Sequence, residues 1–111
     1  MNNTNIKNLP ENAKYMTMLC YTDRKPFVVV KETPKTKVLS PVLVAKDPEW
    51  KPDFHPGGFS AYCANQIYQT WLYDGIDEEV QIRVYKTKRG WSMKFHQFVE
   101  DCAVHFYDYN F

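Results

Sequence analysis

The chain has 111 residues and a mass of 13.2 kDa, the length of one domain (1–111) with no room for a second folded unit. Hydrophobic residues at 44% and aromatic residues at 16% exclude a disordered chain. The 14 Lys+Arg and 13 Asp+Glu leave a net charge of +1, which argues against a dedicated duplex-DNA binder, whose domain is normally strongly basic.

Residues 1–14 are polar and read as a flexible arm without the apolar stretch of a signal peptide. No run approaches the roughly 20 apolar residues of a membrane helix. Cys20, Cys63 and Cys102 are odd in number and form no C-x-x-C pair. Free thiols in a reducing compartment, and a soluble intracellular domain, are the expectation. Residues 15–21 read as the first strand, residues 22–26 as a polar turn, and Phe27-Val28-Val29-Val30 as the next strand. A second turn is expected at Pro34-Lys35-Thr36-Lys37. Val38-Leu39 and Val42-Leu43-Val44-Ala45 then read as strand, with Pro41 marking an edge or bulge.

From Asp47 to Cys63 the prolines and glycines predict a long loop without a regular ladder. Its aromatic content (Trp50, Phe54, Phe59, Tyr62) favours an ordered, functional loop. Residues 66–73 are rich in strand formers, and Asp74-Gly75 is a turn signal. Val80, Ile82 and Val84 alternate with polar neighbours, Lys88-Arg89-Gly90 turns the chain, and Trp91, Met93 and Phe95 alternate again, which predicts a β-hairpin. The one helical candidate is a short turn over Phe98-Val99-Glu100-Asp101, and the aromatic tail from Cys102 predicts a final strand. The class is mostly β, a small antiparallel barrel or sandwich built from hairpins with little helix.

Catalytic and metal signals are weak. His55, His96 and His105 lack metal-ligand spacing, so no metal or cofactor is expected. Cys63 with His55 carries no catalytic signature, and a buried structural cysteine is the commoner role. The acidic run from Asp74 to Glu79 lacks the EF-hand pattern and reads as a solvated turn. A non-enzyme follows as the expectation. Pro56-Gly57-Gly58-Phe59 is more suggestive, because adjacent glycines let consecutive N–H groups converge on an anion; a tight turn that places Phe59 in the core explains it as well. The strongest signal is aromatic residues interleaved with basic ones. Phe59, Tyr62, Tyr68, Trp71 and Trp91 accompany Arg24, Lys86, Lys88 and Arg89. Aromatic faces stack on bases, and arginine adds cation–π and bidentate phosphate contacts, which suits a nucleotide or a single strand. Most of these rings serve equally well as core, and those left exposed suit a homodimer interface.

Three stretches occur in an order that resembles a group of small bacteriophage proteins: Tyr21-Thr22-Asp23-Arg24 before a Val-rich strand, Pro56-Gly57-Gly58-Phe59 with Gln66 downstream, and the terminal Phe106-Tyr107-Asp108-Tyr109-Asn110-Phe111. The chain resembles the first family of Thoeris anti-defence proteins. The resemblance implies an oligomer, at least a dimer, that acts as a sponge for an immune signal. The signal would be glycocyclic ADP-ribose made by TIR-domain enzymes, and in some members also cyclic trinucleotides of CBASS-type defence, held without cleavage in the cytoplasm of the infected host. It implies phosphate pairing by Arg24, backbone N–H donation by Gly57 and Gly58, and stacking by Phe59. Gln66, Trp71, Lys88 and Arg89 join them as candidate ligand-binding residues. Two departures stand out: Lys88-Arg89-Gly90 lacks an asparagine before the glycine, and residues 98–102 lack the expected glycine and arginine. The expected partners are then a nucleotide second messenger and a second copy of the chain, with neither membrane nor duplex DNA. A direct inhibitor of a host protein, acting through an aromatic surface, is the alternative.

Overall fold

The computed structural model describes residues 4–7, 9, 12–57 and 60–110, with backbone only for 4–7, 57 and 60–62. Its strands are β1 (Thr4–Lys7), β2 (Tyr15–Cys20), β3 (Asp23–Glu32), β4 (Thr36–Lys46), β5 (Phe54–Gly57), β6 (Ser60–Cys63), β7 (Trp71–Ile76), β8 (Ile82–Thr87), β9 (Gly90–Met93) and β10 (His96–Glu100), with one 3-10 turn at Gln66–Tyr68. The protein is mostly β, and six of the strands close an antiparallel barrel. Closure runs β2 to β3, β4, β8, β9 and β10, and β10 returns to β2 through pairs such as Leu19 with Gln97.

Period-two alternation fills the barrel. Met16, Phe27, Leu39, Val84, Trp91 and Phe98 form its buried core, with Phe27 edge-on to Phe98 at 5.7 Å between ring centres. Burial of each such side chain contributes about 1.5–3 kcal/mol. β4 outgrows the barrel. One of its edges pairs with β8 through residues 36–39 and then with β7 through residues 42–46. Pro41, which has no N–H to give, sits where the partner changes. This second sheet adds β1 parallel to β7, so part of the expected N-terminal arm is paired strand. Val42, Trp71 and Tyr73 form a second core beneath it, packed with Leu9, Tyr15, Val44 and Ala103.

Several local expectations change. The first turn is tighter than expected: Tyr21 and Thr22 make it, Tyr21 with φ +38°, and β3 already begins at Asp23. The segment from Asp47 to Cys63 holds a ladder after all, the β5–β6 hairpin. Residues 66–73 divide into the 3-10 turn and the start of β7. Asp74-Gly75 does not end that strand. β7 takes one more residue than β4 between the pairs Val42–Ile76 and Val44–Tyr73, and Gly75 absorbs this bulge at φ +113°. Residues 98–100 are strand rather than helix, and Asp101 leaves it at φ +63°. The expected hairpin β8–β9 is present. Phe95, however, escapes the alternation that buries Trp91, because Lys94 at φ +53° turns the chain and leaves Phe95 99% exposed. The tail is not a ladder strand; among the described residues its one bridge joins Phe106 to Arg24. No helix among the described residues is long and apolar enough to cross a membrane.

Candidate functional site

The tail passes over the Thr17 side chain of β2 and runs beside Arg24 of β3, and side chains supply most of what a neighbouring strand would. The Thr17 hydroxyl donates to the Cys102 carbonyl at 3.0 Å and accepts the Val104 amide at 3.1 Å. The Tyr73 hydroxyl donates to the Ala103 carbonyl and accepts the His105 amide at 2.7 Å. Phe106 exchanges both backbone bonds with Arg24, and the Gln69 side chain takes Tyr107. The Asp108 and Tyr109 amides go to the side chains of Asp23 and Gln66, and the Asn110 amide to Asp108. Every amide in residues 104–110 therefore has an acceptor, and only one of those acceptors is backbone. Burial pushes the Tyr73 phenol up to about 12 and the His105 imidazole down to about 4, the latter helped by the nearby Lys25 charge.

Between this tail and the barrel runs a groove of about 410 Å³. Thr17, Leu19 and Val99 form its floor, Cys102, Val104 and Phe106 its tail-side wall, and Thr22 and Arg24 its remaining border. Arg24 stands next to the tight turn and steadies it: Nη1 donates to the carbonyls of Asp23 at 2.8 Å and Tyr21 at 3.3 Å. A guanidinium has five N–H donors, so the rest of the fork is left for an anion.

Leu19 also borders a second groove of about 510 Å³ on the outer face of β9 and β10, where Arg89, Lys94 and His96 gather with Ser92, Gln97 and the exposed Phe95. Among the described residues lining the two grooves, which share Leu19, there is no carboxylate; that of Asp108 stands beside them, bonded to the lining Thr22. β2 and β10 are antiparallel neighbours, which sets the turn carrying Tyr21 beside the turn carrying Phe95. These two rings, 93% and 99% exposed, crown that end of the barrel.

Of the candidates from sequence, Arg24 and Arg89 thus border adjoining grooves, and Lys88 is exposed in the turn that holds Arg89. Gln66 and Trp71 line neither. Gln66 anchors Tyr109 of the tail, while Trp71 is buried, donates from its indole to Gln69 at 2.7 Å and meets His105 edge-on at 4.4 Å. Gly57 closes β5, and Gly58 and Phe59 lie outside the described residues. Trp91 is core, with the Lys37 ammonium 4.7 Å from its ring centre. The Cys63 thiol turns to Asn65 at 3.3 Å and the His55 ring to Asp53 at 3.1 Å. All three cysteines are free thiols. Among the described residues no group of three or more His, Cys, Asp or Glu could hold a metal ion.

Sequence reasoning missed Lys94, Phe95, His96 and the tail-side wall. The only trace of the first three was the aromatic and basic character around the hairpin. The wall depends on contacts between residues more than eighty positions apart, as from Thr17 to Val104. Searches against protein-family models, curated proteins and solved structures find no match to this chain.

Proposed function

We propose that the protein is a phage anti-defence sponge that binds an anionic nucleotide signal, glycocyclic ADP-ribose or a cyclic oligonucleotide, and sequesters it without cleavage in the infected cell. The observation that carries this reading is the carboxylate-free lining of the two grooves, which joins Arg24 to Arg89, Lys94 and His96 through Leu19 among the described residues. Its volume suits a nucleotide, since ligand pockets run from about 300 to 1,000 Å³. Arginine forks grip phosphates in bidentate fashion, and the exposed Phe95 offers a face for a base. A sponge has to hold its ligand against the host effector, and nanomolar affinity corresponds to about −12 kcal/mol. Assembly into at least a dimer belongs to the same reading, with Tyr21 and Phe95 covered between protomers.

The test is incubation with glycocyclic ADP-ribose isomers and cyclic di- and trinucleotides, removal of the protein by filtration, then heat denaturation, with both fractions read by mass spectrometry. The expected result is a signal that leaves the filtrate and returns intact on heating, and a marked weakening with Arg24→Ala. A signal returned at a different mass makes the protein an enzyme. Should every signal stay in the filtrate, the second reading takes over: the Tyr21 and Phe95 rings favour direct capture of a host protein, which would then copurify.

A further inference from the structure

The fork in β4 leaves a space that neither of its partners fills. Pairing with β8 stops at Leu39 and pairing with β7 starts at Val42, so Ser40 and Pro41 face no strand on that edge. The chain between β7 and β8 spans the gap, with the Asp77 amide donating to the Pro41 carbonyl at 2.9 Å. A crevice of about 580 Å³ opens there, walled by Val28, Val30 and Ile76 on one side and by Glu78 and Gln81 of the connecting loop on the other. Ser40 lines it as well, wholly buried, and its hydroxyl has no hydrogen-bond partner. An unpaired buried hydroxyl weakens a fold that alanine would serve better, unless something else pairs it.

Charge narrows what that partner is. Glu78 is the one charged side chain among the described residues lining the crevice, and Asp77 and Glu79 flank it in the chain. An anion is repelled there and an ammonium attracted. We propose that this crevice binds a small organic cation, its apolar body against Val28, Val30 and Ile76, its ammonium towards Glu78, and a hydrogen bond to Ser40 Oγ. Rotation of the exposed Glu78 and Gln81 side chains gives access to the hydroxyl. The site shares no lining residue with the grooves around Leu19 and is opposite to them in charge, so it stands independently of the nucleotide reading.

Benzylamine is the probe, with benzoate as the control of similar size and opposite charge, followed by amide NMR correlation spectra of the full chain. Benzylamine is expected to shift the amides of Val28, Ser40 and Ile76 saturably at millimolar concentration, and benzoate to leave them in place. Ser40→Ala is expected to raise the benzylamine Kd roughly fivefold through the lost hydrogen bond, and Glu78→Gln to raise it at least as much. Because Ser40→Ala removes an unpaired group, its melting temperature is expected to equal or exceed that of the parent, which keeps the variant folded for the comparison. The proposal is overturned by unmoved amides, by equal shifts from benzoate, or by undiminished affinity in Ser40→Ala.

Discussion

Gln69 and Tyr107 pair as two backbone segments of a sheet would. The Gln69 Oε1 accepts the Tyr107 amide at 2.9 Å, and its Nε2 donates to the Tyr107 carbonyl at 2.9 Å. The same side chain accepts the Trp71 indole N–H and donates to the Gln66 carbonyl. A primary amide reproduces the donor and acceptor of a peptide group, and this one is 1% exposed with both ends paired. Gln69→Ala would strand the Trp71 indole and the Tyr107 amide together. A loss of about 3 kcal/mol is expected in urea unfolding, with faster hydrogen exchange at Tyr107. Unchanged exchange there would mean that the tail is held by its other clasps alone.

Gly75 tests the bulge. A Cβ at this position would meet only Leu43 Cδ1 at an ordinary 3.9 Å, so space is not the obstacle. The backbone is, at φ +113°. Gly75→Ala is expected to destabilise by about 1–3 kcal/mol and to lower the melting temperature by several degrees. A change of Leu43→Ala in the same background should restore nothing.

His105 makes stability depend on pH. Its imidazole is held down to about 4 in the folded protein, first by burial and then by Lys25, against an ordinary value of 6.5. The unfolded chain therefore binds the proton more readily between these values, and stability falls as pH drops from 6.5 towards 4. The ring keeps some solvent contact, so a loss of about 1–2 kcal/mol over that window is expected after screening. Urea midpoints from pH 7 to 5 should slope in the parent and flatten in His105→Phe, which retains the edge-on contact with Trp71.

Lys37 and Glu100 form an unequal pair. The ammonium is buried, bonded to Glu100 at 3.1 Å and set over the Trp91 ring, whereas the carboxylate is 45% exposed. Hydrogen bonds from Lys37 and Trp91 hold the Glu100 carboxyl below its ordinary range. Removing the carboxylate strands a buried charge, whereas removing the lysine leaves a carboxylate that water reaches. Glu100→Gln is expected to cost more than about 1 kcal/mol and Lys37→Met less than that, both read by urea unfolding followed by the tryptophan fluorescence of the chain. Equal losses would show that the pair acts as one symmetric contact.

Alternation made the barrel legible in the sequence. Val84 and Trp91 face inwards where a period of two puts them, and the hairpin around Lys88-Arg89 follows from its turn residues, whereas Phe98 faces inwards from a strand where a helical turn was expected. The tail did not yield to the same reasoning, because its partners are side chains of Thr17, Gln66, Gln69 and Tyr73, and such bonding leaves no period. Gly75 misled for a related reason: a glycine at positive φ serves a bulge as well as a turn, and only the neighbouring strand decides between them. Arg24 and Arg89 were singled out by their chemistry, and the structure sets each at the border of a groove. That their grooves meet at Leu19 follows from barrel closure, which no local pattern announces.

The seam that closes the barrel pairs Met16 with Glu100. During synthesis β2 leaves the ribosome well before β10, and the edge that will pair with β10 stays open over that whole interval. The β2–β3 hairpin must wait with unpaired amides on one side and the faces of Thr17 and Leu19 uncovered, since the tail that roofs them comes later still. Closing so distant a pair is entropically slow compared with forming hairpins. Nascent chains thus expose an unpaired strand edge for as long as β10 has still to be made, the kind of edge that invites pairing with another chain.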